Sequence, residues 1–244
     1  MIRKGAVAAA VVCLLALGLA AQEKREKPWT EWSKKDVEKT LNDSPWGQTQ
    51  TTTDTSQMYY SPTTTPSNGG PSRIGTSSDA QVTTNQPTNV KYRIRWLSAR
   101  PVRQALMRMV MLDTKTVDPA MLASMKNFAE TPSPDEIVIA VTYEANDQRF
   151  GNVAMQAFNS ATTGTLKNVA YLERNDGQRV FLKEYFIPGR DGFGARFVFP
   201  RIVREKPFIT DEAGSVRFYA KLGGVELNMK FNTARMKYND TLEY

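Results

Sequence analysis

The stretch NVKYRIRWLSARPVRQALMRMVML, residues 89–112, predicts a strand, a tight turn and a helix. Its bulky residues alternate with three cations, so a period of two places the bulky side chains on one strand face. Those bulky residues are Val90, Tyr92, Ile94 and Trp96. Pro101 suits the first turn of a helix, where its missing N–H costs no hydrogen bond. The apolar run at 105–112 then needs burial against the strand, which makes this pair the organising unit of the predicted fold.

The cations of this stretch form the candidate binding set. Its members are Lys91, Arg93, Arg95, Arg100 and Arg103, with Arg108 farther along the helix. If the polar face of the strand is exposed to solvent, its three cations lie about 7 Å apart. They could then bind an anionic glycan, an anionic lipid or an acidic protein. The alternative is a solvated sheet face whose cations pair with Asp and Glu on neighbouring strands.

The N-terminus has the order of an export signal. Arg3 and Lys4 precede an uninterrupted run of small and apolar residues at 5–21, and a charged segment follows it. We predict a signal peptide over residues 1–20, and therefore a secreted or periplasmic protein with no transmembrane segment after cleavage. A retained membrane anchor is the alternative, although the run is at the short end of the roughly 17–25 residues that span a bilayer.

Missing residue types exclude several classes of enzyme. The sequence has no histidine, and its one cysteine, Cys13, lies in the predicted signal. Zinc hydrolases, Ser-His-Asp hydrolases and Cys-His enzymes all need one of these side chains. The sequence also lacks a P-loop, a nucleophile elbow and a Ser-x-x-Lys pair. We therefore predict no catalytic residue, no metal ligand and no cofactor.

The predicted mature chain is mildly basic. The formal net charge is +7, and removal of Arg3 and Lys4 with the signal leaves 30 basic against 25 acidic residues, about +5. In an exported protein this charge favours anionic material of the envelope as a partner, and not nucleic acid.

Composition divides the mature chain into three parts. Residues 21–47 predict an N-terminal helix that docks on the main domain, and residues 89–244 predict that domain. Residues 48–88 are rich in Thr, Ser, Gln and Pro, so they bury too little apolar surface to offset their ordering entropy. We predict a flexible segment there, a long disordered insertion whose first part, 48–60, could still pair as an edge strand.

The order of the remaining elements predicts the fold class. Helices are expected at 118–129 and 149–161, with a buried strand at 136–143 between them. Turn signals at 175–177 and 223–224 then separate successive strands, and the first turn lies between strands expected at 169–173 and 179–186. We therefore predict an α+β fold, with a largely antiparallel sheet, about three to four helices packed on one face, and a C-terminal β-meander.

Several motifs resemble an uncharacterised family of exported bacterial hypothetical proteins. They are Trp29-x-x-Trp32, Val37-x-x-x-Leu41 and Ser44-Pro-Trp46 behind the predicted signal, with FGARFVFPR at 193–201. The resemblance covers the domain on both sides of the 48–88 segment. It implies export and a shared fold, and it brings no catalytic residue.

We therefore expect an exported, noncatalytic binding or assembly module of the envelope that acts through the basic strand face. Two alternatives stay open. A carboxylate-dependent hydrolase of an envelope polysaccharide would use two of the acids Asp135, Glu136, Glu144, Asp147, Asp176 and Asp191. A lipid or metal carrier would need an enclosed cavity, for which Met107, Met109, Met111, Met121 and Met125 could supply soft ligands. A binding module should instead show an exposed basic or aromatic strip.

Overall fold

The computed structural model describes residues 27–54, 88–114 and 116–244. The predicted signal peptide and most of the predicted insertion lie outside the described residues. Within the described part of the chain, no helix is long and apolar enough to cross a membrane.

The described residues include five α-helices and thirteen strands. The helices are α1 Lys34–Asn42, α2 Arg100–Asp113, α3 Pro119–Glu130, α4 Gln148–Ser160 and α5 Thr163–Leu166. The strands are β1 Gly47–Asp54, β2 Thr88–Trp96, β3 Glu136–Ala145, β4 Ala170–Arg174, β5 Arg179–Phe181, β6 Glu184–Phe186, β7 Ala195–Pro200, β8 Ile202–Val203, β9 Lys206–Pro207, β10 Ser215–Leu222, β11 Val225–Asn232, β12 Lys237–Tyr238 and β13 Thr241–Leu242.

The long strands form two antiparallel sheets. The first sheet has the order β1-β2-β3-β7-β6, and the second has the order β11-β10-β4-β5. Strand β1 pairs with β2 from Gly47 opposite Arg95 to Asp54 opposite Thr88, so the start of the Thr-rich segment belongs to the sheet. The predicted α+β class with largely antiparallel strands is confirmed.

The chain passes from the second sheet to the first between β5 and β6. The N–H of Leu182 donates to the Ala170 carbonyl oxygen in the second sheet at 3.0 Å. The N–H of the next residue, Lys183, donates to the Val198 carbonyl oxygen in the first sheet at 2.8 Å. The run that the sequence predicts as one strand, 179–186, is therefore divided between two sheets.

A large part of the core lies between the two sheets. The apolar face predicted for β2 is buried, and Trp96 is fully enclosed. Its ring meets that of Phe231 in the second sheet edge-on, with centroids 5.5 Å apart. Phe197 in the first sheet likewise meets Phe218 in the second at 5.2 Å. Each such buried aromatic side chain stabilises the fold by roughly 1.5–3 kcal/mol relative to its exposed state.

The N-terminal segment packs on the domain through α1. Ser33 and Asp36 form a capping box at its start, as this pair of residues predicts. Val37 and Leu41 are buried on its inner face. The indole N–H of Trp29, just before it, donates to Glu130 at the end of α3 at 2.9 Å. Helix α1 also contacts β1 and β2, which places it over the polar face of the central strand.

Candidate binding surfaces

Arg95, a member of the predicted binding set, is buried with only 7% of its surface exposed. Its Nε donates to the Leu41 carbonyl oxygen at 3.0 Å, and its Nη2 donates to the Asn42 Oδ1 at 2.9 Å. Leu41 and Asn42 both lie in the last turn of α1, and the Leu41 backbone carbonyl is one of those that lack a partner within the helix. Desolvation, with a smaller effect of Arg93, lowers the pKa of Arg95 to about 10. Arg95 therefore holds a helix end, and the predicted exposed line of three strand cations is not present.

Arg103 is also buried, with 4% of its surface exposed. Its Nε donates to the Phe128 carbonyl oxygen at 3.1 Å, and its Nη1 donates to the Ser98 carbonyl oxygen. Burial lowers the pKa of this guanidinium. Arg103 therefore ties α2 to the end of α3 and to the turn that precedes α2.

The other predicted cations lie nearer the surface. Lys91 is exposed. Arg93 pairs with Glu144 on the neighbouring β3 at 2.5 Å, which is the pairing expected of a solvated sheet face. The Nε of Arg100 lies 3.5 Å from a carboxylate oxygen of Glu243. The structure therefore does not join the five cations into one exposed binding face.

The outer face of the second sheet carries a row of three aromatic rings on adjacent strands. Tyr219 lies opposite Tyr171, and Tyr171 lies opposite Phe181. The first two rings are stacked with centroids 5.1 Å apart, and the second pair meets at 5.9 Å. Phe181 is 47% exposed, and both tyrosines are partly exposed. We call Tyr219, Tyr171 and Phe181 the aromatic row.

Cations surround the aromatic row. The guanidinium of Arg179 lies 4.5 Å from the centroid of the Tyr171 ring, a distance at which a cation interacts with the face of an aromatic ring. Glu173 pairs with Arg179 and also lies 3.9 Å from Arg217. The exposed cations of this face are Arg179, Arg217, Lys221 and Lys230, and its acids are Glu173 and Glu226. Cations therefore outnumber carboxylates on this face.

Sequence reasoning did not find the aromatic row, although part of its signal is present. Tyr219 lies between Phe218 and Ala220, which are both buried, so alternation puts it on the opposite face. Tyr171 has the same relation to Ala170 and Leu172. Alternation along each strand could have placed each tyrosine on the outer face of the sheet. Only the pairing of the strands brings the rings together.

The candidate hydrolase acids are distributed among separate ion pairs. Glu136 pairs with Lys183 at 2.6 Å, and Asp191 pairs with Arg196 at 3.0 Å. Three more of the six pair with cations of their own: Glu144 with Arg93, Asp147 with Arg149, and Asp176 with Arg174. Hydrogen bonds from Arg149 lower the pKa of Asp147, whereas a general acid needs a raised pKa. These pairs favour a structural role for the five acids.

The methionines considered as soft ligands do not share one environment. Met107 and Met125 are buried, whereas Met109 and Met121 are more than a third exposed. Among the described residues, no group of three or more His, Cys, Asp or Glu could hold a metal ion.

Comparisons of the chain with protein-family models, with curated proteins and with solved structures return no match. The resemblance to an exported bacterial family therefore stays a prediction.

Proposed function

We propose that this protein is an exported, noncatalytic binding module that binds an anionic glycan on the outer face of the second sheet. The observation that carries the proposal is the aromatic row, since it is the exposed aromatic strip expected of a binding module. Phe181 is 47% exposed and both tyrosines are partly exposed, so the row presents aromatic surface to solvent.

The apolar C–H face of a sugar ring can pack against such an aromatic surface. The row crosses three adjacent strands, which span roughly 10 Å at about 4.8 Å per strand, so it can contact more than one sugar unit. The stack of Tyr171 on Tyr219 fixes both rings, so little side-chain freedom is lost on binding. Cross-strand aromatic pairs also stabilise a sheet, by about 0.2–1 kcal/mol, but that role does not require an exposed row.

The cations around the row favour a negatively charged glycan. Arg217, Lys221 and Lys230 are exposed on β10 and β11, and the aromatic rings lie beside them. A carboxylate or phosphate on a sugar would meet these groups while its ring packs on the row. Because the cations are exposed, their contribution should weaken as salt is added.

The predicted signal peptide supports an extracytoplasmic location, where such glycans are found. Expression of the full chain in a bacterial host tests this part of the proposal. Mass spectrometry of the protein released from the periplasm or medium should give a mature chain that begins at Ala21. Recovery of the uncleaved chain in the membrane fraction would instead support the retained anchor.

Calorimetric titration with two oligosaccharides of equal length tests the ligand class. Oligogalacturonate carries a carboxylate on every unit, and a cello-oligosaccharide is a neutral counterpart. The proposal predicts binding of oligogalacturonate that weakens with added salt, and weaker binding of the neutral oligosaccharide. Stronger binding of the neutral oligosaccharide, or no binding of either one, would contradict it.

A further inference from the structure

A cleft of about 430 Å³ lies beside Arg103, on elements other than those of the aromatic row. This volume is within the roughly 300–1,000 Å³ that is usual for small-molecule sites. The apolar part of its wall is formed by Leu97, Phe128 and Val138. Its polar part, besides Arg103, is formed by Ser98, Ser124, Asn127, Thr131 and Ser133. The lining therefore contains one cation, several neutral polar groups and no carboxylate.

Arg103 lines this cleft, and two hydrogen bonds fix its guanidinium. It donates to the carbonyl oxygens of Ser98 and Phe128, and both of those residues also line the cleft. Its remaining nitrogen, Nη2, is buried and has no hydrogen-bond partner among the described residues. Leaving a buried N–H of a charged group unpaired costs free energy, so we expect an acceptor to bind this atom.

Further donors are available on α3. Asn127 uses its Oδ1 to accept from the Thr131 hydroxyl at 3.2 Å, which leaves its amide N–H groups as donors. Ser124 is exposed on the same helix and adds a hydroxyl group. The Ser98 hydroxyl oxygen accepts from the Val138 N–H, so its O–H stays a donor, whereas the Ser133 hydroxyl already donates to the Glu136 carbonyl oxygen.

We propose that this cleft binds a small organic carboxylate, with its carboxylate at Arg103 and its apolar body against Leu97, Phe128 and Val138. A single guanidinium matches a single negative charge, and a carboxylate accepts hydrogen bonds from guanidinium and amide groups together. The apolar wall selects an organic acid over an inorganic anion. This site is independent of the proposed glycan surface, so either can fail without the other.

Amide chemical-shift titration with three compounds of the same carbon chain tests the charge requirement. Butyrate is the anion, butyramide is its neutral counterpart, and butylammonium is the cation. Butyrate should shift the amide signals of residues around Arg103 and saturate. Butyramide should bind at least tenfold more weakly, because it lacks the charge that strengthens the hydrogen bonds. Butylammonium should not bind.

Two substitutions on α3 locate the site without disturbing Arg103, whose own replacement could unfold the protein. Ser124→Phe fills the cleft and should abolish butyrate binding. Ala123→Phe adds the same bulk at an exposed neighbour outside the lining, and should leave binding and the melting temperature unchanged.

Three results would overturn the proposal. They are equal binding of butyrate and butyramide, unchanged butyrate binding by a folded Ser124→Phe protein, and a crystal structure with butyrate in which only an ordered water contacts Nη2 of Arg103. Glycan binding by the same variants tests the second sheet separately, so its result does not bear on the cleft.

Discussion

The Nε of Arg95 donates a hydrogen bond to the carbonyl oxygen of Leu41 at 3.0 Å, which joins the central strand β2 to the last turn of α1. We expect Arg95→Lys to lower the free energy of unfolding by about 1–3 kcal/mol, because lysine lacks the planar fork that reaches both Leu41 and Asn42. Urea unfolding measures this change.

Arg93→Lys on the same strand is the matched control. Its partner is the exposed carboxylate of Glu144, and exposed ion pairs contribute only about 0–1 kcal/mol. An equal decrease in the free energy of unfolding of the two variants would contradict the structural role assigned to Arg95.

Gly194 lies immediately before β7 with a φ of +83°, where a Cβ would come 2.3 Å from the Val141 carbonyl oxygen. We expect Gly194→Ala to destabilise the protein by about 3 kcal/mol or more, since backbone strain adds to a clash with a fixed backbone atom. Gly192 has a similar φ of +77° but open space around it. Gly192→Ala should therefore cost only about 1–2 kcal/mol. Thermal unfolding of both variants separates the clash from the strain, and equal losses would refute the close approach at Gly194.

Tyr185 is buried, and its hydroxyl donates to the Phe158 carbonyl oxygen at 2.7 Å. Burial raises the pKa of Tyr185 above its ordinary value of 10.0. The unfolded chain therefore loses this proton at lower pH than the folded protein does, so stability falls as the pH rises above 10.0.

Tyr185→Phe removes both the hydrogen bond and the titration. At neutral pH we expect the variant to be about 1 kcal/mol less stable, because the Phe158 carbonyl loses its partner. The difference in stability between the native protein and the variant should become smaller as the pH rises, since phenylalanine has no proton to lose. Urea unfolding from about pH 8 to about pH 11 tests this. A constant or widening difference would show that the Tyr185 pKa is not raised.

The central strand shows what the sequence could predict. Alternation placed Val90, Tyr92, Ile94 and Trp96 on one face, and the structure buries that face. Periodicity also placed Arg95 on the other face, but it cannot tell what covers that face. That face is covered by α1, residues 34–42, which lies far from β2 in the sequence.

The arrangement of the sheets was harder to predict because it depends on distant pairings. The run 179–186 reads as one strand, yet Leu182 and Lys183 donate to different sheets. In the same way, the aromatic row exists only because β10 pairs with β4, and β4 pairs with β5, in one register. The burial of Arg103 follows from packing between helices, and no local pattern in the sequence indicates it.

The affinity of the aromatic row for oligogalacturonate is the most direct measure of the proposed function. The variant to compare with the native protein carries Tyr171→Thr and Tyr219→Thr, because threonine keeps a strand-forming residue at both positions. Two aromatic contacts of roughly 0.5–1.5 kcal/mol each are lost, so binding should weaken by about 5- to 150-fold.

Phe186→Thr is the matched control for that measurement. Phe186 is an exposed aromatic residue with an arginine, Arg196, 5.3 Å from its ring centroid, but it lies in the first sheet. We predict native affinity for this control and at least about fivefold weaker binding for the double variant, with both proteins folded. Native affinity in the double variant, or an equal loss in the control, would contradict the assignment of the second sheet as the glycan-binding surface.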